Sequence, residues 1–118
     1  MRSTSIATAV VLALVAVLAL APGQGSAKMN MEQMVTAAKT AADHQNLAKH
    51  YEARAAEARA KAETHRKMAE AYRKQGGAIV SKLHFDEHCD ALVKAFQAEA
   101  EQYDALAKAE LEMAKDMK

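Results

Sequence analysis

The stretch Ala48–Gln75, AKHYEARAAEARAKAETHRKMAEAYRKQ, decides the fold of this chain. Together with the residues before it, it places Met34, Ala37, Ala41, His44, Ala48, Tyr51, Ala55, Ala58, Ala62, His65, Ala69 and Tyr72 at a strict three-four spacing. A seam sustained over five heptads predicts a long helix packed against a partner with coiled-coil-like geometry. No Pro or Gly interrupts residues 29–75, and Ala, Glu, Lys, Arg and Met all favour the helix. Unbroken, such a helix would run nearly 70 Å, at about 1.5 Å per residue. Asp43-His44-Gln45-Asn46 is its weakest stretch, because Asp and Asn side chains compete for backbone hydrogen bonds. A kink or short loop there would turn a hairpin into a three-helix arrangement.

Gly76-Gly77 closes the first helix, with Arg73 and Lys74 in its last turn, where cations suit the helix dipole. A turn over about 76–81 leads to a second helix over about 82–117, beginning between Ser81, a candidate N-cap, and Asp86. Its seam reads Phe85, Cys89, Leu92, Phe96, Glu99, Tyr103, Leu106, Glu110, Met113 and Met117. The second helix is therefore expected to be bulky where the first is small, so that the two interdigitate. The expected fold is an all-α, long antiparallel helical hairpin. Glu57–Lys61, Glu63–Lys67, Glu70–Lys74, Asp90–Lys94 and Asp104–Lys108 are acid-first pairs four residues apart, and they describe solvated faces.

Upstream, Arg2 precedes an apolar run from Ile6 to Ala21 and a small-residue tail ending Gly25-Ser26-Ala27. That order is a secretory signal peptide over 1–27, with cleavage after Ala27. Cleavage after Ala21 is disfavoured by Pro22, whose locked ring fits an extended protease groove poorly. The run is shorter than the roughly 20 residues a bilayer span needs, so no membrane span is expected after cleavage. The localisation implied is export to the periplasm or beyond. Residues 28–118 then form one domain of 118 − 27 = 91 residues, with 22 alanines, no proline, no tryptophan and one cysteine. With Arg2 removed, 15 Lys/Arg face 15 Asp/Glu. That balance gives no reason to expect nucleic acid or anionic lipid as a partner. An alanine-rich hairpin has a thin core, and self-association into a four-helix bundle would thicken it.

Chemistry-bearing residues are few. Thr36, Thr40, Thr64 and Ser81 supply every hydroxyl nucleophile after the leader apart from tyrosine, with no nucleophile elbow or glycine-rich phosphate loop. No enzymatic role is expected. His44 and His65 lie about 31 Å apart on one helix, too far to share an ion. His50 falls off the seam. The dense cluster is His84-Phe85-Asp86-Glu87-His88-Cys89, in which His84 and His88 share a helix face. Folding about the glycines brings together residues whose numbers total roughly 155–160, because both helices rise equally. That register sets Met68 and Tyr72 opposite His88 and Cys89. A metal site drawn from His65, Met68, His84, His88 and Cys89 would mix imidazole, thioether and thiolate, a set suited to copper, zinc or haem iron. Cys89 has three readings: a small buried hydrophobe, an intermolecular disulfide partner, or a thiolate ligand.

The segment AKHYEARAAEARAKAETHRKMAEAYRK, followed by the glycine linker and HCDALVKAFQAEAEQYDALAKAE, resembles small uncharacterised exported alanine-rich helical proteins of Gram-negative bacteria. The resemblance covers most of residues 28–118 and implies a periplasmic helical hairpin. It brings no activity and no site residues. Three roles follow as expectations: a structural or protein-interaction hairpin, a small periplasmic metal or haem binding protein, and a chaperone-like clamp.

Overall fold

The computed structural model describes residues 29–117, so the expected leader lies outside the described residues. The fold is all-α. Four helices follow in order: α1 (Met31–Ala37), α2 (Ala41–Gln75), α3 (Ala78–Leu83) and α4 (Phe85–Asp116). α2 and α4 pack along each other as the hairpin, with α1 at its open end and α3 at its turn. At about 1.5 Å per residue, α2 is roughly 52 Å long and α4 roughly 48 Å. Among the described residues, no helix is long and apolar enough to cross a membrane.

The first helix is not continuous from residue 29 to 75, and the break falls at Ala38–Thr40, just ahead of Asp43–Asn46. Its cause is a reciprocal cap. Thr40 is the N-cap of α2; its side chain accepts from the Asp43 N–H at 3.1 Å, and the Asp43 carboxylate accepts from the Lys39 and Thr40 N–H groups, each at 2.9 Å. Asp43 therefore starts α2 in the stretch expected to weaken a longer helix. α1 begins with the same device, Asn30 and Gln33 exchanging side-chain and backbone hydrogen bonds.

At the turn, Gly76 and Gly77 both take positive φ (60° and 95°), and the Gly76 N–H donates to the Tyr72 carbonyl. The expected loop over 76–81 is largely helical. α3 fills Ala78–Leu83 with Ser81 inside it, so Ser81 caps nothing. His84, left-handed at φ 53°, joins α3 to α4. The second long helix thus begins at Phe85, within the expected window of Ser81 to Asp86, because the left-handed residue ends α3 just before it.

The buried line of α2 is the expected seam with Leu47 added: His44, Leu47, Ala48, Tyr51, Ala55, Ala58, Ala62 and Ala69. α4 differs. It buries Cys89, Val93, Ala100, Ala107 and Ala114, with Phe85, Phe96, Tyr103 and Glu110 half-buried. Leu92, Leu106 and Met113 are 41%, 43% and 51% exposed, and Glu99 is exposed. Every second layer is therefore one residue later than the sequence reading, and its members are small. The physical reason is twofold. The alternative line would bury the Glu99 charge, which is costly without a partner. The alanine line also lets alanines from both helices meet, as Ala55, Ala58 and Ala100 do. Between these layers, aromatic rings stack across the hairpin: Tyr51 on Tyr103 (6.1 Å), His65 on Phe96 (5.4 Å) and Tyr72 on Phe85 (5.0 Å). These pairs fall within a residue of the register expected from the turn, with Tyr72 against Phe85 in place of the His88–Cys89 neighbourhood.

The cap of α2 has a pH signature. The Lys39 N–H, followed by the Thr40 hydroxyl and N–H, holds the Asp43 carboxyl below its ordinary 3.8. A depressed folded-state value stabilises the fold above the unfolded-state value and loses that contribution as pH falls through the folded one. Asp43→Ala is therefore expected to lower the thermal midpoint at neutral pH, with the gap to wild type narrowing as pH falls below the ordinary carboxyl value and the wild-type carboxyl takes up its proton. Circular dichroism melts of both proteins across that range check it.

Candidate functional site

Two regions carry chemistry-bearing side chains, one at each end of the hairpin. At the turn end, the five residues expected to share a metal occupy separate environments. His84 is exposed, and its Nδ1 lies 3.3 Å from Glu87 Oε2. His88 is exposed, Met68 is 39% exposed and Cys89 is 5% exposed. Half-buried His65 stacks on Phe96, and its Nδ1 is buried without a hydrogen-bond partner. Arg73 reaches across to Asp86 at 3.3 Å and pairs with Asp90 as well. Among the described residues, no group of three or more His, Cys, Asp or Glu side chains is placed to hold an ion. Cys89 is a free, buried thiol within the chain.

The open end is built around a polar pair in an apolar cluster. His44, 8% exposed, is the one buried polar residue among those described. Its Nδ1 lies 2.5 Å from Glu110 Oε2, joining the first turns of α2 to the last turns of α4. The heptad spacing puts both residues on the seam; its residue types could have suggested the pair. Next to it, Leu47, Ala48, Tyr51 and Ala107 form a buried cluster, onto which Met31, Met34, Ala38 and Tyr103 pack. Burial, then the charge of Glu110 and the nearby Tyr103, pushes the Tyr51 phenol above its ordinary 10.0.

α1 lies along the first turns of α2 and leaves a groove of about 910 Å³ between them. Met29, Met31 and Met34 line it from α1 and its approach; Asn46, His50, Arg54 and Glu57 line it from α2. His50 is exposed, as its place off the seam suggested. The groove was missed because α1 was read as part of a continuous helix. The signals that would have found it are the two Asn/Thr-x-x-Gln/Asp boxes and three methionines in the six residues Met29–Met34.

No family model matches the chain, and no curated protein or solved structure is significantly similar to it.

His44 and Glu110 tie the two long helices together at the open end, and that link is measurable. Glu110→Ala is expected to cost about 1–3 kcal/mol, because it strands a buried imidazole without a partner. His44→Leu combined with Glu110→Leu should recover much of the loss, since replacing both polar partners by apolar groups is far less costly than removing one. Urea unfolding of the single and double variants gives both values.

Proposed function

We propose that this chain is an exported, non-enzymatic interaction protein that works as a self-associated hairpin, with a second copy covering one flank of α4. A single observation carries this reading: along α4, leucine and methionine side chains stand outside where alanines are inside. Leu92, Leu106 and Met113 stand exposed while Ala100, Ala107 and Ala114 are buried. At about 100° per residue, the three exposed side chains share one flank of α4, adjacent to the buried line. With Ala95 and Ala109 they make a second apolar line at heptad spacing, broken at Glu99 and Gln102. A helix with two neighbouring seams is suited to a bundle of more than two helices.

The cross-hairpin ion pairs lie elsewhere. All three cross-hairpin Arg–Asp pairs, Arg59–Asp104, Arg73–Asp86 and Arg73–Asp90, use aspartates on the other side of α4's buried line. Ion pairs therefore close one flank of the hairpin, and leucine and methionine line the other. Balanced charge in residues 28–118 leaves no long-range repulsion to keep two copies apart. Pairing flank to flank would give an antiparallel four-helix bundle, consistent with the periplasmic or secreted destination that the leader implies.

The proposal is tested by sedimentation equilibrium of the leader-free protein. The wild type should give the mass of an oligomer, and Leu106→Glu with Met113→Glu should give a monomer of unchanged helicity. Arg59→Ala, on the opposite flank, should leave the oligomer in place. A monomeric wild type at about 100 µM, well above the micromolar range of ordinary interfaces, would refute the reading.

A further inference from the structure

Of the places that could bind something, the groove between α1 and α2 carries the argument furthest, and it stands apart from both the α4 flank and the turn-end histidines. It gathers three thioethers, Met29, Met31 and Met34, with the imidazole of His50. Methionine is unbranched and flexible, so thioethers on one short segment are able to converge on a ligand without moving the backbone. The segment itself is fixed, because the Asn30–Gln33 exchange of hydrogen bonds sets where α1 begins.

The groove also contains two carboxylates, and both are already engaged. Asp43 accepts from the Lys39 and Thr40 N–H groups, and Glu57 accepts from Arg54 at 3.0 Å. The hard oxygen donors that calcium, magnesium or manganese would require are thus held in hydrogen bonds and ion pairs, while the thioethers have only apolar contacts, Met31 and Met34 against the neighbouring cluster and Met29 half in solvent. Thioether sulfur with one imidazole selects soft, monovalent d10 ions over zinc, which takes thiolate, imidazole and carboxylate. We infer that this groove is a binding site for a soft monovalent metal ion, copper(I) or its analogue silver(I), held by Met29, Met31, Met34 and His50.

A site made of thioethers has a further property. Thioethers carry no proton, so a site made of them does not depend on deprotonating its sulfur donors. The turn-end donors behave differently, since Cys89 would have to lose its proton to bind.

The test is isothermal titration of the leader-free protein with silver nitrate, alongside copper(I) competition against bathocuproine under reductant. Expected is one ion per chain, with the methyl resonances of Met29, Met31 and Met34 shifting on binding. Cys89→Ala and His88→Ala should leave affinity unchanged. Met29→Leu, Met31→Leu and Met34→Leu together keep the apolar packing, because leucine and methionine are close in volume. The triple variant should lose at least about tenfold in affinity, a loss that removing even a supporting group causes at a metal site. The inference fails if silver does not bind, if binding survives the triple variant, or if it vanishes with Cys89→Ala instead. It fails equally if zinc binds the groove as tightly as silver.

Discussion

The close approach of α2 and α4 through alanine is the constraint from which the rest of the structure follows. Ala55, Ala58 and Ala100 are at most 1% exposed and meet in one buried cluster, with Tyr103 packed against it. Helices that pack this way come nearer than leucine-bearing helices do, so bulky residues fit between the alanine layers or outside them. Tyr51, Tyr103, Phe96, Phe85 and Tyr72 stack in near-parallel cross-hairpin pairs with interplanar angles of 14–27° together with His65. Leu92, Leu106 and Met113 are excluded and line the outer flank. The surface on which the proposed assembly depends is in this sense a by-product of the core.

The same constraint explains which parts of the fold could be read from residues alone. The α2 seam was legible because its apolar positions and its helical positions coincide: alanine is both the small residue the interface needs and the best helix former. The α4 seam was misplaced because two lines compete on that helix. Reading by hydrophobicity favours Leu92, Leu106 and Met113 over Ala100, Ala107 and Ala114, yet the hairpin selects by size. Glu99, on the bulkier line, was the residue that argued against it. Helix boundaries were lost for a more local reason. Thr40 and Asp43 exchange hydrogen bonds that end one helix and start another within three residues, and a heptad count passes over such a cap without registering it.

The two ends of the hairpin divide its chemistry. At the turn end, charge closes the structure: Arg73 bridges to Asp86 and Asp90, His84 faces Glu87, and Cys89 is buried. The open end holds the buried His44–Glu110 pair, with the methionine groove beside it. Residues that cluster in sequence, from His84 to Cys89, are distributed around α4 by its 100° step per residue. Those separated by more than a dozen positions, Met34 and His50, come to line one groove because the capped break folds α1 back along α2. Proximity along the chain was thus a poor guide to the candidate site. The capping boxes were the informative feature.

Disulfide trapping across the hairpin tests the alanine seam most directly. In a chain with Cys89→Ser, cysteines at Ala58 and Ala100 should form an intramolecular disulfide rapidly under mild oxidation, because both face the same buried cluster. Cysteines at Ala58 and Glu99 should form it slowly or not at all, since position 99 is turned to solvent. Efficient trapping of Ala58 with Glu99 and failure with Ala100 would put the leucine line inside, and the packing described here would be wrong.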